Sequence, residues 1–274
     1  MEILRYESAL GRTDVAHRPP HPALRPYVTR YWSYVERMAA PMRRRELPSS
    51  EVVLVLNLGP KLVLDGESHA SFVAGLTESS VVTEMDGESD GVQVNLTPLG
   101  AYLLLGVPMH TVTNRCVALD GVLGRLTDEL LERLYDAAPA ERFDLLDALF
   151  LERIARAAPP TPSVVWSWRR LVATDGRLPV RELTHELGCS RKHLAVGFRE
   201  QIGLTPKTAA RLLRFQRAIR LIDGKASSSW GDIAADCGYY DQAHFNRDFR
   251  QFAGSTPTEF VGRRYPDGLG LSPE

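Results

Sequence analysis

Val180–Pro206 reads V-R-E-L-T-H-E-L-G-C-S-R-K-H-L-A-V-G-F-R-E-Q-I-G-L-T-P, and Trp230–Pro257 reads W-G-D-I-A-A-D-C-G-Y-Y-D-Q-A-H-F-N-R-D-F-R-Q-F-A-G-S-T-P. The two stretches align. Leu183 matches Ile233 and Gly188 matches Gly238; after one extra residue in the second turn, His193 matches His244, Leu194 matches Phe245, Phe198 matches Phe249 and Gly203 matches Gly254. Thr205-Pro206 then matches Thr256-Pro257. One supersecondary unit is used twice. In each copy a short apolar-faced helix stops at a glycine that can turn left-handed. Ser190 or Asp241 caps the next helix by accepting a first-turn N–H. Two short helices around a glycine turn form a helix-turn-helix, whose second helix enters the major groove of DNA. The units are expected at about residues 179–203 and 230–254. Between them, residues 206–222 read as a connecting helix of roughly 25 Å, able to set two recognition helices near one ~34 Å turn of DNA.

The run G-Y-Y-D-Q-A-H-F-N-R-D-F-R-Q-F-A-G-S-T-P from Gly238 to Pro257, with Glu259, Phe260 and the segment L-R-F-Q-R-A-I-R-L-I from Leu213 to Ile222, resembles the AraC/XylS family of transcriptional regulators. The resemblance implies two helix-turn-helix units on one connecting helix, binding to double-stranded DNA, a role in transcription such as that of an activator, and a possible contact with RNA polymerase. It places Lys192, Ala195 and Val196, then Gln242, Ala243, Asn246 and Arg247, toward the bases. Ser190, Arg191, Arg199, His244 and Arg250 complete the expected DNA-contacting set on the two solvent faces. Arginine reads guanine bidentately and Gln or Asn reads adenine, whereas Ala195 and Val196 offer only apolar contact, as to a thymine methyl. Gly197 in mid-helix costs ~1 kcal/mol against alanine, which also weakens the first reader. His193 and His244 recur at equivalent positions and could reach phosphates or bridge the turn.

Charge follows the same division. Residues 163–265 carry 17 Lys and Arg against 10 Asp and Glu, an excess of +7; residues 1–162 carry 16 against 22, a difference of −6. A basic half beside an acidic half localises nucleic-acid binding to the C-terminal side. The Pro-rich A-A-P-P-T-P at 157–162 cannot continue a helix. The expected organisation is a sensor or dimerisation domain at 1–158, a linker at 159–162, a DNA-binding domain at 163–265 and a tail at 266–274.

The N-terminal part predicts strands at 52–58, 72–76, 81–83 and 92–96, separated by Gly, Asp and Ser turns, then helices from Pro98, over 119–137 and over 140–157. The fold class is therefore α+β: a β-barrel or sandwich with flanking helices, followed by an all-α domain. His21–Trp32 and Thr97–Pro108 resemble, more loosely, the sensor domain of a subset of AraC-like regulators, which implies a cupin-like module. Tyr27, Trp32, Tyr34 and Tyr102 are candidates to line a pocket for a mainly apolar or aromatic effector, with core packing the alternative for each. Some leucines of these helices are expected to pack on the barrel; the leucine-rich helices could also form a dimer seam.

The sequence offers little catalytic chemistry. The candidate pair His17 and His21 is separated by two prolines and is assigned to a solvated loop; Arg43–Arg45 could touch an anionic effector or DNA, with a solvated loop the favoured reading. No metal-ligand or phosphate-cradling motif accompanies it, so no metal or cofactor is expected. The three cysteines form no paired framework. No stretch approaches the ~20 apolar residues that span a bilayer, and M-E-I-L-R-Y-E-S at the start lacks a signal pattern; the expectation is a cytoplasmic regulator and not an enzyme. Two alternatives stand beside an effector-responsive regulator. One is a DNA-targeted enzyme, whose signature would be a depressed thiol at Cys116. The other is an effector-free regulator whose N-terminal domain only dimerises.

Overall fold

A computed structural model of the chain describes residues 2–8, 11–224 and 229–263. The tail at 266–274 and the last two residues of the expected DNA-binding domain lie outside the described residues. The first part is a two-sheet barrel. Its strands are β1 (Glu2–Ser8), β2 (Gly11–Arg18), β3 (Val28–Met38), β4 (Met42–Glu46), β5 (Val52–Asn57), β6 (Leu62–Leu64), β7 (Glu67–His69), β8 (Phe72–Ala74), β9 (Val81–Met85), β10 (Glu88–Leu96) and β11 (Cys116–Ala118). They form one sheet in the order β1-β2-β3-β10-β5-β8-β11 and a second in the order β4-β9-β6-β7. The pairings within both sheets are antiparallel.

The apolar run of β5 is explained by cover on both faces. Successive side chains alternate across a strand. Leu54 and Leu56 join the main core, while Val55 joins Leu64 and Phe72 in a smaller cluster. The main-core face is covered by α1 (Pro98–Leu105) and, after α2 (Asp120–Leu123) and α3 (Leu126–Asp136), by α4 (Pro139–Arg156). Phe143 of α4 stacks on Tyr31 of β3 at 5.6 Å, and the Tyr31 hydroxyl donates to Asp147 at 2.9 Å. Arg142, also buried, donates to Ser33 at 3.1 Å and Asp90 at 3.0 Å.

Several expectations change here. The helix read over 119–137 is broken in two at Gly124, whose φ is 60° and ψ −140°, a conformation close to glycine alone. Arg43–Arg45 are strand β4, not a loop. His17 lies in β2, with its ring 5.2 Å from Trp32 and its Nε2 3.2 Å from Glu2, so the solvated-loop assignment fails there. His21 caps the short turn at Pro22–Leu24, its Nδ1 accepting from the Ala23 N–H. Leu130, Leu134 and Leu146 are buried in the chain's own core, the packing expected of them rather than the alternative of a dimer seam.

The second part is helical: α5 (Pro162–Ala173), α6 (Val180–Glu186), α7 (Arg191–Gln201), α8 (Pro206–Gly224), α9 (Trp230–Asp236), α10 (Gln242–Ala253) and α11 (Pro257–Gly262). Helix α8 is the connector, about 28 Å long at ~1.5 Å per residue. Its Phe215 packs against Phe249 and Phe252 of α10 at 5.2 and 5.1 Å. The proline-rich connection is pinned: the Thr161 N–H donates to Gln201 Oε1 at 2.9 Å, and Gln201 Nε2 returns a bond to Thr161 Oγ1 at 2.7 Å.

Candidate nucleic-acid interface

The two units are built as their capping residues dictate. Ser190 Oγ accepts from the His193 N–H at 3.1 Å, and Asp241 Oδ1 from the His244 N–H at 2.7 Å. Gly188 and Gly238 take φ values of 60° and 76° at the turns. Leu194 and Phe198 of α7, and Phe245, Phe249 and Phe252 of α10, point into the core. That orientation leaves Arg191, Lys192, Val196 and Arg199 exposed on α7, and Gln242, Ala243, Arg247 and Arg250 exposed on α10. Ala195 and Asn246 sit at the margins, half-buried; Asn246 Oδ1 is enclosed without a hydrogen-bond partner. His244 is engaged by its own turn, its ring edge-on to Tyr239 at 5.2 Å and its Nε2 3.9 Å from Asp248. His193 stays exposed.

The repeat diverges at an inward position whose packing the sequence reading missed. By the alignment of Phe198 with Phe249, Gly197 corresponds to Asp248. A Cβ at Gly197 would lie 2.9 Å from Val164 Cγ2, so the glycine lets α5 approach α7 closely. It is a packing requirement rather than a defect of the reading face. Asp248 instead holds Arg211 of α8 in a fork, at 3.1 Å from Nε and 2.9 Å from Nη2. The first recognition helix is thus seated by close packing and the second by a buried ion pair.

Both units also touch the barrel part. Gly203, at φ 100°, faces the 3-10 turn Met109–Thr111; a Cβ there would meet Thr113 Oγ1 at 2.3 Å. At the other unit, a Cβ on Gly254 would meet Arg45 Nη1 of β4 at 2.7 Å. Gly203→Ala is therefore expected to loosen the joint between the parts, read as faster proteolysis of the connection at 157–161. Unchanged proteolysis would count against the contact.

Among known families, a helix-turn-helix domain matches residues 183–263, and a domain of unknown function (DUF6597) matches residues 16–118. Residues 183–263 thus carry a helix-turn-helix domain of the AraC type. No curated protein matches it. Among solved structures, the chain is similar to ToxT from Vibrio cholerae, with 11% identity, a TM-score of 0.47, and coverage of 85% of this chain and 98% of that one. It is also similar to the unsaturated-fatty-acid-bound form of ToxT, with 12% identity, a TM-score of 0.44, and coverage of 82% and 96%. A third is the AraC-like transcriptional activator CuxR, with 14% identity, a TM-score of 0.33, and coverage of 79% and 82%.

One space beside the N-terminal part is large enough for a small molecule. Tyr102 lines a cavity of about 620 Å³ beside α7, together with Leu103, Leu149, Arg153, Arg156 and Glu200. Its charges have partners: Arg156 pairs with Glu152 at 2.8 Å, and Arg153 donates to the Leu104 carbonyl. Trp32 and Tyr34 lie elsewhere, on the barrel-facing side of β3; Tyr27 spends its carbonyl on the Thr97 N–H. The four aromatic candidates therefore do not form one pocket. Inside the barrel, burial pushes the Glu36 and Glu46 carboxyls above their ordinary value of 4.5, against the lowering effect of Arg44. Protonated carboxyls are favoured in the folded state, so their stabilisation is full below pH 4.5 and is lost as pH rises through the raised values. Glu36→Gln should accordingly gain thermal stability over the parent on going from pH 4 to pH 7. A constant difference across that range would refute the assignment.

Among the described residues, no group of three or more His, Cys, Asp and Glu could hold a metal ion, and no helix is long and apolar enough to cross a membrane. The thiol signature required by the enzyme alternative is reversed. His69 Nδ1 lies 3.5 Å from Cys116 Sγ, yet burial and then Glu67 push the thiol up to about 12. A thiol in that range is a poor nucleophile at neutral pH. Iodoacetamide should label Cys116 in the folded chain at least about tenfold more slowly than a free cysteine. Labelling at the free rate would revive that alternative.

Proposed function

We propose that this AraC-type DNA-binding transcriptional regulator answers to a small-molecule effector held by its N-terminal part, residues 1–158, and reads DNA through residues 163–265. The observation that carries the reading is the pair of capped recognition helices with exposed cationic faces, both seated against the barrel part. In this reading Arg191, Lys192, Arg199 and Arg250 hold phosphates. Gln242, Ala243 and Arg247 face bases, Asn246 turns outward to join them, and Ala195 and Val196 meet thymine methyls. Ser190 and His244 position the helix ends. Self-association and contact with RNA polymerase belong to the same reading, in the cytoplasm and without catalysis.

The two helices should contribute unequally. Arg247 can fork onto a guanine, a pairing worth ~1–3 kcal/mol of discrimination, whereas Val196 at the matching place makes undirected apolar contact. Arg247→Ala is expected to relax base preference in one half of the site. Lys192→Ala should weaken binding evenly across sequences, as a phosphate contact does. A position-by-position binding profile of both variants tests this. Greater loss of preference in Lys192→Ala would make the first helix the principal reader.

A further inference from the structure

The residue that breaks the repeat stands almost wholly in solvent. Gly188 and Ser190 are separated by Cys189 alone, whereas Gly238 and Asp241 are separated by Tyr239 and Tyr240. Backbone bonds show which of the two is the addition. The Cys189 N–H donates to the Thr184 carbonyl at 3.1 Å, and the Tyr239 N–H donates to the matching Ala234 carbonyl at 3.0 Å. Tyr239 therefore takes the place of Cys189 and turns inward, 6% exposed, with its ring 5.4 Å from Phe245. Tyr240 is the added residue. It is 93% exposed, the most of any large apolar side chain among the described residues, and it has no hydrogen bond or ring contact to any of them.

The two recognition helices also begin differently. Helix α7 opens on Arg191 and Lys192, both exposed, behind the neutral cap Ser190. Helix α10 opens on Gln242 and Ala243 behind the carboxylate of Asp241, and its first exposed cation is Arg247. His244 of that first turn is held edge-on to Tyr239. The Asp241 carboxylate already accepts the His244 N–H, so a phosphate there would meet a like charge rather than a free helix end. In a helix-turn-helix the first helix crosses the DNA backbone and the second sets its first residues against base edges. A side chain projecting from the turn between them meets the rim of the groove, where the phosphates lie. The first unit has cations at that end; the second has a phenol, which donates a hydrogen bond without adding charge.

We propose that Tyr240 is a DNA-backbone contact of the second unit: its hydroxyl donates to a phosphate at the groove rim and its ring lies along the adjoining deoxyribose. Tyrosine is one of the neutral side chains through which proteins hold phosphate oxygens. The contact lies outside the set of exposed cations and rests on the reading of α10 as a DNA-contacting helix. It gives the two units a different dependence on salt. A cation that neutralises a phosphate releases counterions, whereas a neutral donor does not. The grip of Tyr240 is therefore retained as salt rises, while that of Lys192 fades. A backbone contact fixes register without reading sequence, so Tyr240 also sets where Gln242 and Arg247 meet the bases.

The test uses the full chain with two duplexes of equal length, one selected by the parent chain from a random pool and one of random sequence. Tyr240→Ala is expected to weaken binding to both roughly tenfold or more, as loss of a hydrogen bond to a charged group does. The factor should be the same for the two duplexes, since each presents the same phosphates. Tyr240→Phe should show most of that loss. The slope of log K against log salt should stay at the parent value in both variants, whereas Lys192→Ala makes it shallower by ~1. The thermal midpoint should not move, because Tyr240 packs on nothing in the free chain. A midpoint that falls together with the affinity would make the residue structural and overturn the contact. Parent affinity in Tyr240→Phe, a shallower slope in Tyr240→Ala, or a loss confined to the selected duplex would overturn it too. Failure of the parent chain to bind either duplex would overturn the DNA-contacting reading of α10 as well. Parent binding that both Tyr240 variants retain in full overturns the tyrosine contact and leaves that reading standing.

Discussion

Asp248→Ala should destabilise the DNA-binding part by about 3 kcal/mol, the low end for breaking a buried ion pair by removing one partner. Asp248 is 3% exposed and accepts both arms of the Arg211 fork. The guanidinium lies 5.4 Å over the Phe252 ring and retains a bond to Gln251 Oε1, so it would be stripped of its carboxylate without being released to water. The Arg211 side chain is 19% exposed, which moderates the penalty. Urea unfolding of the full chain measures the effect. The double substitution Asp248→Leu with Arg211→Met should recover most of the loss, since an apolar pair of similar volume commonly replaces a buried ion pair at little cost. A loss below about 1 kcal/mol for Asp248→Ala would mean that the phenylalanine cluster alone seats α10.

DNA affinity should fall steeply with salt. If about six phosphates are neutralised by the cations of residues 163–265, the slope of log K against log salt is about −5. Between roughly 50 and 200 mM salt the affinity then drops on the order of a thousandfold. The basis is the +7 excess over residues 163–265 and the exposure of Arg191, Lys192, Arg199, Arg247 and Arg250. Titration of a fluorescent duplex at several salt concentrations gives the slope. A slope shallower than about −2 would show that few of these cations reach phosphates. Removing Lys192 should make the slope shallower by ~1.

The pocket expected around the N-terminal aromatic residues is revised by the fold. Tyr34 and Trp32 invite an aromatic, apolar pocket when read along the chain. In the barrel their neighbours on the same wall are Glu36, Ser89 and Gln93, which β3 and β10 bring opposite one another in register. Pairing is nonlocal, and a single sequence does not show which polar residues face which aromatic ones.

Legibility followed the range of the interactions. The helix-turn-helix units could be read because their signals are local: a cap at Ser190 or Asp241, a stop at Gly188 or Gly238, and apolar residues at helical spacing act within a dozen residues. Strand β5 was readable as an apolar run, while β1 to β4 were not, because half-buried strands carry polar residues on one face and resemble loops. Arg43–Arg45 is such a case: three consecutive arginines suggest a solvated loop, yet alternation sends two outward and one into the barrel. Gly197 and Asp248 show the same limit inside the repeat. Equivalent in sequence, they perform different tasks because α5 approaches one recognition helix and α8 carries Arg211 to the other. By itself, then, the sequence determined the repeated helix-turn-helix unit, its exposed faces and their excess of positive charge, all consequences of short-range backbone geometry and composition. Only the tertiary structure decided which side chains seat those units and how the barrel touches both of them, because strand pairing and helix packing join residues far apart in the chain.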